Sequence, residues 1–349
     1  MSAPALSRSD RALGEALLRA VAFLRERQLP HGEFATLLGT DRGLHGAVFD
    51  SSPFVTSFVL EGLAEIDRAL VSDLVGKAVA FLRSEMEFGG VWRYWSTRNH
   101  KHARLLPDLD DTACISHALK KAAGFRPRND WAFRSARDVE GRFKTWLSPR
   151  SPGSASWTFW PARAVGIVQA RLATKVRTPE SEDPRFRVMH IDFDDVDPVV
   201  NANAVLYLGE RPDTLPAIRF VVEKVLDERP GWSTFYRDRL ALYHAAARAF
   251  RHAAPGLVVV REHVVARIEQ RCREGEPLDH LQTALAASAL LTFEPASALA
   301  AELVDRIVET QRPDGGWDAS LFYNAMGSEE LTTGLCLDVL GRAVRFAAS

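Results

Sequence analysis

The chain has 349 residues, 46% hydrophobic and 26% charged, with a net charge of −1. That balance marks a soluble globular protein and excludes a general nucleic-acid binder, which would be basic. No apolar run approaches the roughly 20 residues that span a bilayer, and the first ten residues lack the apolar core of a secretory signal, so a cytoplasmic location is expected.

In chain order, Asp10 to Gln28 repeats Leu and Ala at helical spacing and predicts an amphipathic helix. Asp50-Ser51-Ser52-Pro53 reads as a cap and first turn, opening a helix to Ile66 that is apolar nearly all round. Val71 to Met86 is amphipathic again. A glycine-containing loop with Trp92, Tyr94 and Trp95 leads to a second apolar helix behind Asp108. The alternation continues: Asn129–Leu147 half-polar, Asp197–Leu208 apolar, Pro212–Glu228 half-polar, Thr234–Phe250 of the apolar type but more polar than its siblings. Leu257–Arg273 and Pro295–Gln311 are half-polar, Asp279–Phe293 and a last helix from Gly327 to about Val344 apolar. Cys114, Cys272 and Cys336 lie far apart in helical patterns and read as reduced thiols, with no spacing suited to zinc.

Six alternating pairs, with essentially no strand signal, predict an all-α fold: a single (α/α)6 toroid domain over residues 1–349. Apolar helices form a buried inner ring and half-polar helices an outer ring with one face in water. An open superhelix of helix pairs is the competitor, but its end helices would be more polar than those found here. The period breaks once. Asp108 and Asp197, two inner-helix starts, stand 89 residues apart, because of a surplus over residues 148–190. That insertion carries Trp157 and Trp160 and a cationic amphipathic run, readable as an extra packed helix, a flap over the cavity or a membrane-surface dock.

The densest chemistry lies at Leu106-Pro-Asp-Leu-Asp-Asp-Thr-Ala113, where Asp108, Asp110 and Asp111 crowd the mouth of an apolar helix. Two carboxylates about 4 Å apart repel by about 4 kcal/mol at an effective dielectric of 20, or about three pKa units. One of the set is therefore expected to stay protonated. The helix N-terminus favours an anion, which this reading places on Asp108 and Asp111, leaving the proton on Asp110.

Asp108-Leu-Asp-Asp-Thr-Ala resembles the DxDDTA motif of class II terpene cyclases, the squalene–hopene and copalyl diphosphate type. Gln311-Arg-Pro-Asp-Gly-Gly-Trp317 is similar to the QW repeat of the squalene-cyclase and prenyltransferase-like superfamily, with weaker echoes at Glu87–Trp92 and Pro230–Trp232. The resemblance implies an α/α toroid and an enzyme that protonates a carbon–carbon double bond of a prenyl or prenyl-diphosphate substrate, C15–C20. The general acid of that motif falls on Asp110. Members with this motif usually carry two toroids with a cavity between them, and this chain is long enough for one.

Such chemistry needs aromatic walls for a carbocation and a dry site. Trp92, Tyr94, Trp95, Phe322 and Tyr323 are the candidates, with Trp157 and Trp160. Arg98, Lys101 and Arg104 would hold a diphosphate, with Mg2+ as cofactor only if the substrate carries one. Asn201 and Asn203, buried amides in an apolar helix, and Glu330 at the last inner mouth would complete the wall. Asp194, Asp195 and Asp197 are the candidates for a metal. The expected ligand is a small isoprenoid, and no protein partner is expected. Two rivals stand beside this reading: a carbohydrate-active toroid using distant carboxylates such as Asp110 and Glu330, and a non-catalytic toroid that binds a lipid or peptide.

Overall fold

A computed structural model describes residues 8–39, 41–147, 192, 194–275 and 277–348. The insertion over 148–190, with Trp157 and Trp160, lies outside them. Twelve α-helices are described. Six form the inner set: α2 (Pro53–Leu63), α4 (Leu109–Ala123), α6 (Pro198–Leu208), α8 (Arg239–His252), α10 (His280–Phe293) and α12 (Glu329–Ala348). The others form the outer set: α1 (Arg8–Arg27), α3 (Arg68–Ser84), α5 (Asp130–Ser135), α7 (Leu215–Leu226), α9 (Arg261–Glu274) and α11 (Ala298–Glu309).

Each inner helix starts where a short polar side chain satisfies a backbone N–H that the helix cannot. Ser52 accepts from Phe54, Asp108 from Asp111, Asp197 from Val199, and Asp238 from Leu240. Asp279 and Gln282 form a reciprocal capping box. Behind these caps α2, α6 and α10 are buried over almost their whole length. Burial on all sides requires neighbours on all sides, and a ring supplies them.

The ring closes. Each inner helix packs on the next, and α12 returns to α2. The seam is unusually close: a Cβ on Gly62 would lie 2.2 Å from the Gly334 carbonyl oxygen, and one on Gly334 would lie 2.9 Å from Val59 Cα. Only glycine at both positions permits that approach. An open superhelix is therefore excluded.

Outside the ring, α1 packs on α12, α3 on α2 and α4, α7 on α6, and α11 on α10 and α12. Trp92 and Trp317 join the two layers in the same way. Each indole N–H donates to a carbonyl of the preceding outer helix, Leu82 at 2.7 Å and Ile307 at 2.9 Å. Each backbone N–H donates to a threonine hydroxyl of the following inner helix, Thr112 or Thr333.

Two local departures from expectation have physical causes. A small antiparallel sheet exists, β1 (Leu37–Leu38), β2 (Val48–Phe49) and β3 (Met326–Gly327), in the order β2-β1-β3. Its strands have two residues each, too short for periodicity to reveal. The half-polar stretch 129–147 is helical only over Asp130–Ser135. Asp138 then caps a turn at the N–H groups of Glu140 and Arg142, and Gly141 follows at φ +83°. Beyond it the chain runs along the ring mouth, where Thr145 accepts from Leu109 N–H and Pro107 accepts from Leu147 N–H. No helix among the described residues is long and apolar enough to cross a membrane.

Candidate active site

The caps of the inner helices gather at one end of the ring and bring three loops over the Asp108–Asp111 turn. Asp110, the second residue of α4, is buried with 4% of its surface exposed. Each carboxyl oxygen accepts one hydrogen bond: Oδ1 from Asn203 Nδ2 at 2.8 Å and Oδ2 from Tyr236 O–H at 2.7 Å. Burial raises the Asp110 pKa above its ordinary 3.8, although these bonds and the nearby Arg248 guanidinium pull the other way.

Its neighbours differ from expectation. Asp108 faces a backbone N–H, that of Asp111. At Asp111, Oδ1 is buried without a hydrogen-bond partner. Burial first, then the charge and hydrogen bond of Asp108, push the Asp111 carboxyl well above the carboxylate range. Asp108 is raised by burial to about 7, against the hydrogen bonds from Asp111. Burial therefore works against the anion expected on Asp111. The Asp110 proton is favoured by dryness, not by two charged neighbours. Asp197 adds a fourth raised carboxyl, at about 7, through burial and the charge of Asp110.

Aromatic rings stand over this turn. Tyr323 lies parallel to Tyr94 and Phe235, with centroids at 5.7 and 5.5 Å, and edge-on to Tyr236 at 5.2 Å. Phe322 meets Tyr236 at 5.4 Å and Phe58 at 5.3 Å. Phe54 touches Phe58, Tyr94 and Tyr323. Tyr94 O–H points to Met326 Sδ, and burial drives the three tyrosine hydroxyls well above their ordinary 10, so they stay neutral. Trp95 joins the edge of this group, with its indole N–H on Asp50 at 3.0 Å and Lys101 Nζ 4.7 Å from its ring centroid.

The remaining candidates are dispersed. Trp92 is fully buried between α3 and α4 and is a packing element, not a wall of the site. Asn201 is spent on backbone: Oδ1 accepts from Phe143 N–H, and Nδ2 donates to the carbonyls of Phe143 and Asp197. It secures the 136–147 stretch. Arg98 pairs with Glu85 at 2.9 Å, Lys101 pairs with Asp50, and Arg104 is exposed, so the three cations do not converge. Glu330, second residue of α12, is buried and its pKa is raised by that burial. Asp194 pairs with Lys144, Asp195 accepts from the hydroxyls of Thr145 and Thr234, and Asp197 caps α6 and accepts from Ser233. These three do not gather as a metal-ligand set among the described residues.

Residues that sequence reading passed over complete the site. Tyr236 and Phe235 come from the loop that carries Trp232, a weak motif echo that located an aromatic segment without ranking its rings. Phe54 and Phe58 passed as ordinary core. Arg248 donates from Nη1 to Asn203 Oδ1 at 3.3 Å and pairs with Glu61. That bond fixes which way the Asn203 amide faces, so its N–H must point at Asp110. The greater polarity of 234–250 was the available signal for Arg248.

No protein-family model and no curated protein matches the chain. Among solved structures, type II terpene cyclase MstE from Scytonema is similar at 17% identity and TM-score 0.66, over 96% of this chain and 99% of that one. A form of that cyclase in complex with geranylgeranyl dihydroxybenzoate, named as substrate, gives 17% and 0.66 over 97% and 99%. An unsaturated glucuronyl hydrolase specific for heparin gives 12% and 0.60 over 97% and 99%. By fold, then, the chain is an α/α toroid, similar in architecture to a type II terpene cyclase and to an unsaturated glucuronyl hydrolase.

Proposed function

We propose that this protein is a protonation-initiated terpene cyclase, with Asp110 as the acid, acting on a prenyl chain of C15–C20. The observation that carries the reading is the Asp110 carboxyl itself: buried, raised above its ordinary pKa, and set beneath neutral aromatic rings.

An alkene is a very weak base, so the acid must be both protonated and strong. Burial favours the neutral carboxyl before reaction. When the O–H bond breaks and the new C–H bond forms, the carboxylate left behind gains from the donors already aimed at it. Hydrogen bonds to a charged group contribute about 1.5–3 kcal/mol against about 1 for neutral ones. Tyr236 and Asn203 thus stabilise the product side of proton transfer more than the reactant side, which is the condition for catalysis. The cation formed on carbon meets the faces of Tyr94, Phe235, Phe322 and Tyr323. Such faces attract cations by about 2 kcal/mol in dry surroundings and offer no lone pair that traps them readily. A neighbouring double bond then closes the ring, and loss of a proton from carbon ends the reaction.

Since the cations of the 93–104 loop are paired or dispersed, a free diphosphate is not the only substrate to test. A prenylated hydroxybenzoate, as named for the Scytonema enzyme, belongs beside geranylgeranyl and farnesyl diphosphates. The decisive experiment incubates the protein with each, with and without Mg2+, in D2O, and reads products by mass spectrometry. A cyclised isomer carrying one deuteron on carbon supports the reading. Hydrolysis of a glycoside with no turnover of any prenyl compound would replace it with the carbohydrate-active alternative. The aromatic surroundings of Asp110 favour the terpene.

A further inference from the structure

Arg248 lies in the second half of α8 and is buried, with 6% of its surface exposed. Its side chain reaches two other inner helices. On α2, Nε and Nη2 donate to the two carboxylate oxygens of Glu61, and the guanidinium carbon lies 4.8 Å from the centroid of the Phe58 ring. On α6, Nη1 donates to Asn203 Oδ1 at 3.3 Å, and Asn203 Nδ2 donates in turn to Asp110 Oδ1 at 2.8 Å. One hydrogen-bonded row therefore runs from Glu61 through Arg248 and Asn203 to the acid.

A carboxamide keeps nearly the same shape when its two ends are exchanged, so packing alone does not orient it. The orientation matters to the acid. With its N–H toward Asp110, the amide favours the carboxylate. With its C=O toward Asp110, it would accept the carboxyl O–H and hold the proton there. A guanidinium has donors and no acceptor. Beside Arg248 the amide must turn its oxygen to Nη1, which leaves its N–H for Asp110. Glu61 holds the guanidinium in place by a two-point fork. The other groups around Asp110 do not set the amide. Asp108, Asp111 and Asp197 feel its charge unfavourably, Cys114 and Tyr323 are neutral, and Tyr236 donates to the other oxygen, Oδ2. Around Arg248, burial keeps His117 and His244 neutral, each with a pKa of about 3, and Asp338 is a further carboxylate.

We infer that Arg248 is a positioning residue for the acid: offering only donors, it fixes Asn203 with its N–H toward Asp110, so that the amide supports the anion left after proton transfer instead of retaining the proton. The inference deepens the cyclase reading and rests on it for the role of Asp110. Arg248 touches neither the acid nor the reacting carbon, and Glu61 acts one step farther back.

The test titrates Asp110 by 13C NMR of the aspartate carboxyl groups, its resonance assigned by loss in Asp110→Asn, and needs no substrate. The paired change Arg248→Met with Glu61→Gln removes one charge of each sign, so the field at Asp110 changes little and neither partner is stranded. The amide is then free to turn, and the Asp110 pKa should rise by about one unit or more. In an Asn203→Leu background the same pair of substitutions should move it by less than about 0.3 unit, because the coupling runs through the amide. Asn203→Ala takes the place of the leucine variant if that chain fails to fold, and an unfolding transition checks every variant. No rise in the paired variant, or an equal rise with and without Asn203, would overturn the inference. With a prenyl substrate that turns over, the paired variant should lose about tenfold in kcat with KM unchanged. A change confined to KM would make Arg248 a packing residue and also overturn it. Absence of prenyl turnover in the unmodified protein would refute the cyclase reading, and the titration would still decide what Arg248 does to Asp110.

Discussion

Replacing Asp110 with Asn tests the chemistry while sparing the fold. The two side chains have the same shape, and Asn203 Nδ2 can still donate to the amide oxygen. At the other position an N–H would face the Tyr236 hydroxyl, which donates at 2.7 Å in the native site. That hydroxyl can rotate and accept instead. The exchange costs about one net hydrogen bond, about 1 kcal/mol, partly offset because an amide is less costly to bury than a carboxyl that ionises. The variant should therefore unfold within about 1–2 kcal/mol of the native protein. Its turnover should collapse, because an amide N–H is no acid at neutral pH. A loss of at least about 10³-fold is expected, equivalent to about 4 kcal/mol on the barrier. The assay follows cyclised product from the prenyl substrate in D2O, alongside urea denaturation of both proteins. Retention of a tenth or more of native turnover in a folded variant, or a native product without solvent deuterium, would refute Asp110 as the proton source.

Tyr236→Phe removes the donor on Oδ2; the maximal rate should fall about tenfold, and the pH at which activity is lost should rise, because the Asp110 anion is less stabilised. A pH–rate profile identical to native would contradict this. Asp197 is held at about 7 against an ordinary 3.8. The folded chain therefore keeps a proton that the unfolded chain has released, and the stability this carboxyl contributes below pH 4 is lost as pH rises to about 7. Asp197→Asn keeps the cap and removes this loss, so its stability relative to native should rise by about 3 kcal/mol between pH 5 and pH 8. Denaturant titrations at the two pH values check it, and a constant difference would refute it. Asn201→Leu strands both peptide groups of Phe143, with an expected cost of about 3 kcal/mol in urea unfolding. Glu61 is pushed up by burial but held well below the carboxylate range by Arg248, His117 and Lys121. Glu61→Gln leaves Arg248 without its counter-charge and should cost about 3–5 kcal/mol, measurable by calorimetry.

The alternation of wet and dry helices, the caps at Asp108, Asp197 and Asp279, and the crowded acids ahead of α4 could all be read along the chain, because each depends on residues within a turn or two of one another. Ring closure could be argued from the apolar end helices, but its physical basis is the Gly62–Gly334 contact between helices at opposite ends of the sequence. The site divides the same way. That Asp110 sits at an inner mouth follows from its helix start. Which amide meets it does not: Asn201 and Asn203 stand two residues apart on α6, and helix rotation alone turns one to Phe143 and the other to Asp110. Trp92, near the acids in sequence, packs behind them, whereas Tyr236, 126 residues away, touches the carboxyl. The charge order also belongs to the assembled ring. Local crowding foretold raised pKa values, but burial from all sides is the largest cause that raises the Asp111 carboxyl. Sequence determines patterns within one element. Burial and partners arise between elements, and these decide where the protons rest.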